Sequence, residues 1–465
     1  MDEPQDDAES AGVDEPQDNE RLTGIPTGEA ATIRHAEQIE RGTLRSGHVR
    51  KLQQPMAVQA PNDCSLLNYA VEELEHTALT QCSVKKGLQV FNRDGAEAVL
   101  SKMRQLDDRS VIEPVKAPLL TRQEKKDALE HLMFLKKKRC GRIKGRGCAD
   151  GRKQRMCKTK DDTSLPAVST DGLFPSCVID AKERRVVVTC DIPGAFMQAD
   201  MDEVAHMRLA GPLATLLMRV NSNKCSKHIM MEGGKPEIYV RLSKALCGTL
   251  QAALIFWKDL TGKLQEWGFE MNPYDQCVAN KMINGKQCTM LWYVDDLKIS
   301  HIEGGVVEEI INLLNKRYRK EAPLTAMRGK VRKCLGMTID YSEDVKVAIR
   351  MDDYVAGILE EASSDMDGEA PIPAAEYLHD VRQEGAELLS TDDHQHLHTM
   401  TAKLLFLSWR ARPDIQEAVA FLTTMVKSAD KDKDNYKKLG RAIRYLRSTP
   451  TLALTLEADN THIIK

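Results

Sequence analysis

The stretch Thr-Met-Leu-Trp-Tyr-Val-Asp-Asp-Leu-Lys-Ile-Ser, residues 289 to 300, decides the fold. Its two adjacent aspartates, Asp295 and Asp296, separate two apolar, β-prone runs, which predicts two strands joined by a tight turn with both carboxylates at the tip. Upstream, Asn284-Gly285 is a strong two-residue hairpin signal, so a further strand precedes them. The Asp pair therefore belongs to an antiparallel sheet, where it either caps a hairpin without chemistry or contributes to a site.

A third aspartate favours the second alternative, in which the Asp pair contributes to a functional site. Asp191 follows residues 185 to 190, a run that reads as a short buried strand. At the end of a neighbouring strand, Asp191 would face Asp295 and Asp296. Carboxylates that close repel one another unless cations are present, and oxygen ligands suit Mg²⁺. The chemistry implied is two-metal phosphoryl transfer, with two Mg²⁺ ions, or Mn²⁺ in their place, held by these three side chains.

Length and composition exclude several classes. A chain of 465 residues exceeds a single hydrophobic core, so more than one folded unit is expected. Its 12 cysteines contain no Cys-x-x-Cys pair, which argues for reduced thiols and against a zinc site. There is no secretory signal and no apolar run near the length of a membrane span, so a membrane role is not expected.

The chain opens with an acidic, low-complexity tail. Residues 1 to 20 carry nine acidic side chains and no basic one. Such a segment cannot bury enough apolar area to offset its ordering entropy, so residues 1–60 are predicted to be disordered. The total net charge of −3 then leaves a mildly basic body of +6 from residue 21 onward.

The strongest basic run lies between residues 136 and 160, where twelve lysines and arginines face the single acid Asp150. One interpretation is a solvated loop or a nuclear-localisation-like cluster. The other is a finger-like hairpin that contacts phosphates, in which four glycines would let the backbone turn close to a polyanion. These glycines are Gly141, Gly145, Gly147 and Gly151.

Tyr293-Val-Asp-Asp296, preceded by Asp191-Ile-Pro-Gly-Ala-Phe196, resembles the catalytic core of a copia-type LTR retrotransposon reverse transcriptase. The resemblance extends over about residues 80–465. It implies an α+β right-hand polymerase fold, with fingers and a palm built on an antiparallel or mixed sheet in residues 61–345. A helical thumb and connection would follow in residues 346–465, leading toward an RNase H domain that is not expected in this chain.

The same resemblance implies roles for individual residues near the catalytic aspartates. Lys144 and Arg146 match a Lys-x-Arg pair that contacts the incoming triphosphate. Phe196 matches a steric gate that selects deoxynucleotides, although an aromatic residue there could equally be an ordinary core side chain.

Two further segments match the family. The segment from Lys244 to Ala253 places Gln251 at a nucleotide-contacting glutamine, but it departs from the family's Lys-Ser-Leu-Tyr-Gly-Leu-Lys-Gln-Ala-Pro pattern. The departures are Cys247 for tyrosine, Leu250 for lysine and Ala253 for proline. Leu335 and Gly336 match the primer grip.

The implied function is RNA-directed DNA polymerisation with an RNA template, a DNA primer and dNTPs, in the cytoplasm or in virus-like particles, with the nucleus left open. Two alternatives stay open: a decayed or domesticated copy that binds nucleic acid without polymerising, and an RNA-templated RNA polymerase, against which Phe196 argues. Protease, zinc-knuckle and integrase signatures are absent. RNase H and integrase activities are therefore expected from another polypeptide or a longer polyprotein, and Glu457 and Asp459 alone are not expected to cut a template RNA.

Overall fold

The computed structural model describes residues 81–138, 141–156, 158–159, 164–320, 322–380, 388–426 and 433–458. The predicted tail, residues 1–60, lies outside these ranges. Within them the chain alternates helices with sheets of mixed and antiparallel strands, which confirms the α+β class.

The strands are β1 (Gln81–Ser83), β2 (Ile112–Val115), β3 (Leu129–Lys137), β4 (Ile143–Ala149), β5 (Val186–Asp191), β6 (His206–Ala210), β7 (Met230–Glu232), β8 (Lys235–Leu242), β9 (Glu270–Met271), β10 (Val278–Ile283), β11 (Lys286–Tyr293), β12 (Asp296–His301), β13 (Thr325–Met327), β14 (Val331–Cys334), β15 (Met337–Asp340), β16 (Lys346–Arg350) and β17 (Leu454–Glu457). The α-helices are α1 (Val84–Asp108), α2 (Arg122–Asp127), α3 (Thr170–Lys182), α4 (Pro212–Val220), α5 (Ser222–Cys225), α6 (Ala252–Glu266), α7 (Gly304–Tyr318), α8 (Asp352–Glu361), α9 (Thr391–Ser408), α10 (Gln416–Met425) and α11 (Lys433–Ser448).

The first sheet is mixed and carries the basic run on a hairpin. Its path is β1-β3-β6-β8-β2, with β4 paired to β3 and β7 to β8; the β3–β6 pair is parallel. Strands β3 and β4 are antiparallel, so the finger-like hairpin predicted from the basic run is present. Apolar residues of α1, among them Val99, Met103 and Leu106, are fully buried against this sheet.

Two glycines of the hairpin also have a packing role. A Cβ at Gly145 would lie 2.6 Å from the carbonyl oxygen of Ala98 in α1. At Gly147 it would lie 3.0 Å from Nε2 of His131. Only Gly141, with φ +79°, lies in the hairpin turn. Gly145 is therefore required for close packing of α1 against the strand, and Gly147 leaves room for the His131 side chain of β3. The approach of these glycines to a polyanion stays a prediction.

The central sheet has the order β13-β5-β12-β11-β10-β9 and is antiparallel throughout. Strands β10 and β11 are joined by the predicted Asn284-Gly285 turn, with Ile283 paired to Lys286. Apolar residues between 306 and 318 recur at helical spacing, which predicts a helix with one buried face. Helix α7 packs on this sheet through these six positions, all of them buried: Val306, Val307, Ile310, Ile311, Leu314 and Tyr318.

The third sheet, β14-β15-β16-β17, and helices α8 to α11 continue the core of the central sheet. Residues 334–341 and 345–350 form two β-prone runs, which predicts a hairpin, and β15 and β16 form it. The predicted boundary between residues 345 and 346 falls in the turn that joins these two strands. The division into domains stays a prediction.

One predicted helix begins later than expected. Leucine and tryptophan residues between 246 and 267 recur at helical spacing and Gly268 follows them, which predicts a continuous helix ending there, but α6 starts at Ala252. Leu246 and Leu250 are buried in the turns that precede it. The predicted end is confirmed, because Gly268 adopts φ +81°, a left-handed conformation that ends helices. Within the described ranges, no helix combines the length and apolar character needed to cross a membrane.

Candidate active site

The three predicted aspartates meet at one end of the central sheet. Asp191 is the last residue of β5 and lies directly opposite Asp296, the first residue of β12. Residues paired in this way project from the same face of an antiparallel sheet, with Cβ atoms about 5 Å apart. Asp295 lies in the two-residue turn between β11 and β12, and its carbonyl oxygen accepts a hydrogen bond of 3.2 Å from the amide of Ile192.

The other turn residue, Val294, has φ +57°. A β-branched side chain in this left-handed region is strained, because its Cβ is crowded by the backbone. Its side chain packs against the central core, and this contact holds the residue there. The strain is located next to Asp295, as expected where packing fixes a functional turn.

The electrostatics of the aspartates are those of a crowded anionic site. Burial raises the pKa of Asp295 to about 7, and the charges of Asp296 and Asp191 add to this. Burial also raises the pKa of Asp191, against which the ammonium groups of Lys144 and Lys138 act. The cluster therefore carries unfavourable negative charge that a cation would relieve.

Magnesium fits these residues by donor chemistry. Carboxylate oxygens are the ligands that Mg²⁺ prefers, and burial beside Asp296 and Asp191 disfavours the ionised form of Asp295 when no cation is bound. Across the part of the chain that the structure describes, no three His, Cys, Asp or Glu side chains form a preformed metal site.

The basic hairpin faces the aspartates through one side of β4. Lys144, Arg146 and Cys148 alternate with the glycines that face α1, so they project from the opposite face of the strand. The structure thus brings Lys144 within electrostatic reach of Asp191. Lys138 also lies within electrostatic reach of Asp191. It belongs to the same basic run, but sequence reasoning did not single it out.

Phe196 lies in a short 3-10 helix, Ala195–Gln198, that follows Asp191. Its ring is partly buried and stands edge-on to Phe256 of α6, with centroids 6.4 Å apart. The chain reverses at Gly194, where φ is +62° and glycine is favoured. The contact with Phe256 therefore fixes one side of the ring, while another part of it stays exposed. This position is compatible with a steric gate and with an ordinary core residue.

Gln251 is buried at the start of α6, and neighbours engage its amide group. Gln154 donates to Oε1 of Gln251 at 3.2 Å, and Nε2 of Gln251 donates to Glu203 at 2.5 Å. Gln154 also accepts a hydrogen bond of 3.0 Å from the Leu250 amide. Direct contact between Gln251 and a nucleotide would require these partners to change. The sequence did not suggest Gln154 or Glu203, because both form hydrogen bonds with residues distant along the chain.

Leu335 and Gly336 form the two-residue turn between β14 and β15. Both have positive φ, 54° and 76°, as a type I′ hairpin turn requires. Leu335 is largely buried, so the exposed part of this turn is backbone. Their role in seating a primer stays a prediction.

Comparison with known proteins agrees with this geometry. Residues 119–374 match the family model described as reverse transcriptase (RNA-dependent DNA polymerase). That match covers more than half of the chain and contains every candidate residue named above. The chain therefore belongs to the reverse transcriptase family, in its copia-type retrotransposon branch, as its motifs predicted.

Two individual proteins illustrate the relationship. A Saccharomyces cerevisiae protein of transposon Ty5-1 is 22% identical over 282 residues, which is 58% of this chain and 83% of that protein. Among solved structures, a foamy viral protease-reverse transcriptase in complex with double-stranded DNA matches with a TM-score of 0.37 and 12% identity. That match covers 76% of this chain and 48% of the viral one, so the chain spans about half the length of that structure.

Proposed function

We propose that this chain is an RNA-directed DNA polymerase that joins a dNTP to a primer 3′-hydroxyl on an RNA template. The observation that carries the proposal is the pairing of Asp191 with Asp296 across β5 and β12, with Asp295 in the adjoining turn. Family membership supports the same reaction class. Bound Mg²⁺ would supply charge neutralisation at the transferring phosphoryl group.

The residues of the chain have separable tasks in this proposal. Asp191, Asp295 and Asp296 would hold the cations. Lys144, with Arg146 on the same face of β4, would bind the triphosphate, because cations positioned beside developing phosphate charge stabilise it. Phe196 would exclude a 2′-hydroxyl by shape, which favours DNA over RNA synthesis. Leu335 and Gly336 would contact the primer through exposed backbone.

Primer extension on an RNA template with purified protein and Mg²⁺ tests the proposal. Each Asp→Asn change at positions 191, 295 and 296 is expected to lower the rate by about 10³-fold or more, because these groups act on transition-state charge. Asp344→Asn is the control, since Asp344 is an exposed aspartate paired with Arg184. Activity of Asp295→Asn close to that of the control would show that the assignment of the carboxylates is wrong.

A second candidate is a nucleic-acid-binding protein that has lost polymerisation. It is favoured by the engagement of Gln251 with Gln154 and Glu203, at a position expected to contact nucleotide. Both candidates should bind template-primer with strong salt dependence, because phosphate contacts release counterions. Only the polymerase should retain template-primer more tightly when the matching dNTP and Mg²⁺ are added.

A further inference from the structure

Cys247 lies where the basic hairpin meets the segment that leads into α6. The amide of Ala149, at the end of β4, donates a hydrogen bond of 2.9 Å to the Cys247 carbonyl oxygen. Just beyond, a Cβ at Gly151 would lie 2.3 Å from the carbonyl oxygen of Gly248. The two backbones are therefore in direct contact on both sides of Cys247.

This contact brings two thiols together. Cys148 precedes Ala149 on β4, so this backbone hydrogen bond places the two cysteines on adjacent segments, where their thiols interact. Cys247 is exposed and Cys148 is partly exposed, whereas the other cysteines that the structure describes are all buried.

The surroundings make the two thiols unequal. The interaction with Cys148 lowers the pKa of the Cys247 thiol to about 7, and the positive charges of Arg146 and Lys102 act in the same direction. The same interaction and burial raise the pKa of Cys148. A thiolate is the form that attacks disulfides, so Cys247 is the nucleophile. Cys148 is the resolving thiol, which attacks the mixed disulfide formed on Cys247.

We propose that Cys148 and Cys247 form a redox-active pair, a modification site whose co-substrate is a small disulfide such as glutathione disulfide. The Cys247 thiolate attacks one sulfur of glutathione disulfide, forms a mixed disulfide and releases one glutathione thiolate, which takes up a proton. Cys148 then gives its proton to solvent and attacks the Cys247 sulfur, expelling the second glutathione. The two protein thiols are oxidised by two electrons, and one disulfide is reduced to two thiols.

The backbone contact supports the second step. A disulfide requires two Cα atoms about 4.4 to 6.8 Å apart, a separation expected where the residue after Cys148 donates a backbone hydrogen bond to the carbonyl of Cys247. The product would tie β4, which carries Lys144 and Arg146, to the segment ending at Gln251. If the proposed polymerase function holds, this cross-link fixes the nucleotide-binding face and lowers primer extension.

The first test needs no variant and no activity. The full chain is incubated with glutathione disulfide, free thiols are alkylated, and the digest is analysed by mass spectrometry without reduction. A peptide pair cross-linked through Cys148 and Cys247 is expected, with Cys177 and Cys190 recovered as alkylated thiols because they are buried. Recovery of Cys148 and Cys247 as free thiols, under conditions that oxidise a small dithiol completely, would overturn the proposal.

Single substitutions separate the two steps. Cys148→Ser should accumulate the glutathione adduct on Cys247, because the thiol that resolves it is missing. Cys247→Ser should lose the rapid reaction at both positions. Cys82→Ser, a buried cysteine of β1 in the same sheet, is the matched control and should form the cross-link like the unaltered chain. A Cys148→Ser protein that forms no adduct would show that Cys247 is not the nucleophile.

Activity is measured separately, so that failure of the redox chemistry and failure of the proposed function can be told apart. Oxidised protein should lose primer extension and regain it with dithiothreitol, whereas Cys247→Ser should be insensitive to glutathione disulfide. Cross-linking in a protein that shows no polymerase activity before oxidation would support the modification site and refute the function. Cross-linking that leaves an active polymerase unchanged would refute the effect on nucleotide binding.

Discussion

Asp295 combines a functional position with an energetic cost. It lies in a turn beside a strained Val294, and burial together with two neighbouring carboxylates raises its pKa to about 7. A carboxyl group whose pKa is higher in the folded than in the unfolded protein stabilises the fold at low pH, and that contribution is lost as the pH rises toward the folded pKa. The ionised Asp295 side chain therefore lowers the free energy of unfolding of the metal-free protein, as expected where a site is retained at the expense of stability.

Asp295→Asn should raise the free energy of unfolding of the metal-free protein, and the gain should grow with pH. The unfolded carboxyl ionises near pH 4 and the folded one near pH 7, so the difference between variant and parent should increase by about 1 to 3 kcal/mol across that window. Urea denaturation at pH 5 and pH 8 measures it. A difference that does not change with pH would show that the folded pKa is not raised. Mg²⁺ should stabilise the parent more than the variant, because it binds the ionised carboxylates of the folded state.

Phe196 is a second residue whose role can be isolated. Phe196→Val should increase incorporation of ribonucleotides relative to deoxynucleotides, because a smaller side chain leaves room for a 2′-hydroxyl. Competition between the two nucleotides in primer extension measures the ratio. Phe174→Val is the control, since Phe174 is also partly buried against the same core but lies on α3. An unchanged ratio in a folded Phe196→Val protein would make Phe196 an ordinary core residue.

At the scale of elements, the β3–β4 hairpin owes its position to α1. The helix backbone approaches β4 so closely that Gly145 has no room for a Cβ, and the opposite face of the strand carries Lys144 and Arg146. Packing on one face of β4 thereby fixes the direction of the basic side chains on the other. The glycines serve the site indirectly, through the helix.

Gly145→Ala should destabilise the protein by about 1 to 3 kcal/mol, because the new Cβ would meet the Ala98 carbonyl and force backbone to move. It should also raise the KM for dNTP, since the strand that carries Lys144 is displaced. Gly262→Ala in α6 is the matched control: a Cβ there meets nothing within 4 Å, and alanine in a helix should add about 0.5 to 1 kcal/mol. Equal behaviour of the two variants in thermal denaturation and in KM would contradict this account of the hairpin.

Across the whole molecule, a buried ion pair connects layers that are far apart in sequence. Lys298 of β12 pairs with Asp180 of α3, and both side chains are almost completely buried. Ser176 accepts a further hydrogen bond from Lys298 at 2.8 Å, and the Tyr341 hydroxyl donates to Asp180 at 3.3 Å. The central sheet, helix α3 and the residue that follows β15 therefore share one buried polar contact, two residues along β12 from Asp296.

Lys298→Met should destabilise the protein by about 3 to 5 kcal/mol, because it leaves the carboxylate of Asp180 buried without its partner. The double change Lys298→Met with Asp180→Leu should recover most of this loss, since no uncompensated charge remains. Lys333→Met is the control, because its ion pair with Asp353 is exposed and should contribute at most about 1 kcal/mol. Chemical denaturation gives all three values. A double variant no more stable than Lys298→Met would show that the pair itself, rather than avoidance of an unpaired charge, is required.

The local patterns of the sequence were sufficient for the strands on either side of Asp295, the Asn284-Gly285 turn and the buried face of α7. Each of these depends on side-chain period and turn chemistry, which neighbouring residues specify. The motif also identified the three aspartates, and the α+β class followed from it. The start of α6 was missed, because Leu246 and Leu250 are apolar for burial in turns and happen to share the spacing of the helix.

Only the tertiary structure decided which distant residues meet. The pairing of Asp191 with Asp296, the raised pKa of Asp295, the closeness of Gly145 to α1 and the hydrogen bonds of Gln251 all join segments far apart in the chain. So does the contact between Cys148 and Cys247. Such contacts depend on how whole sheets and helices pack, and on the register between strands that packing selects. A sequence pattern specifies which face of an element is buried, but not the residue on another element that the face will meet.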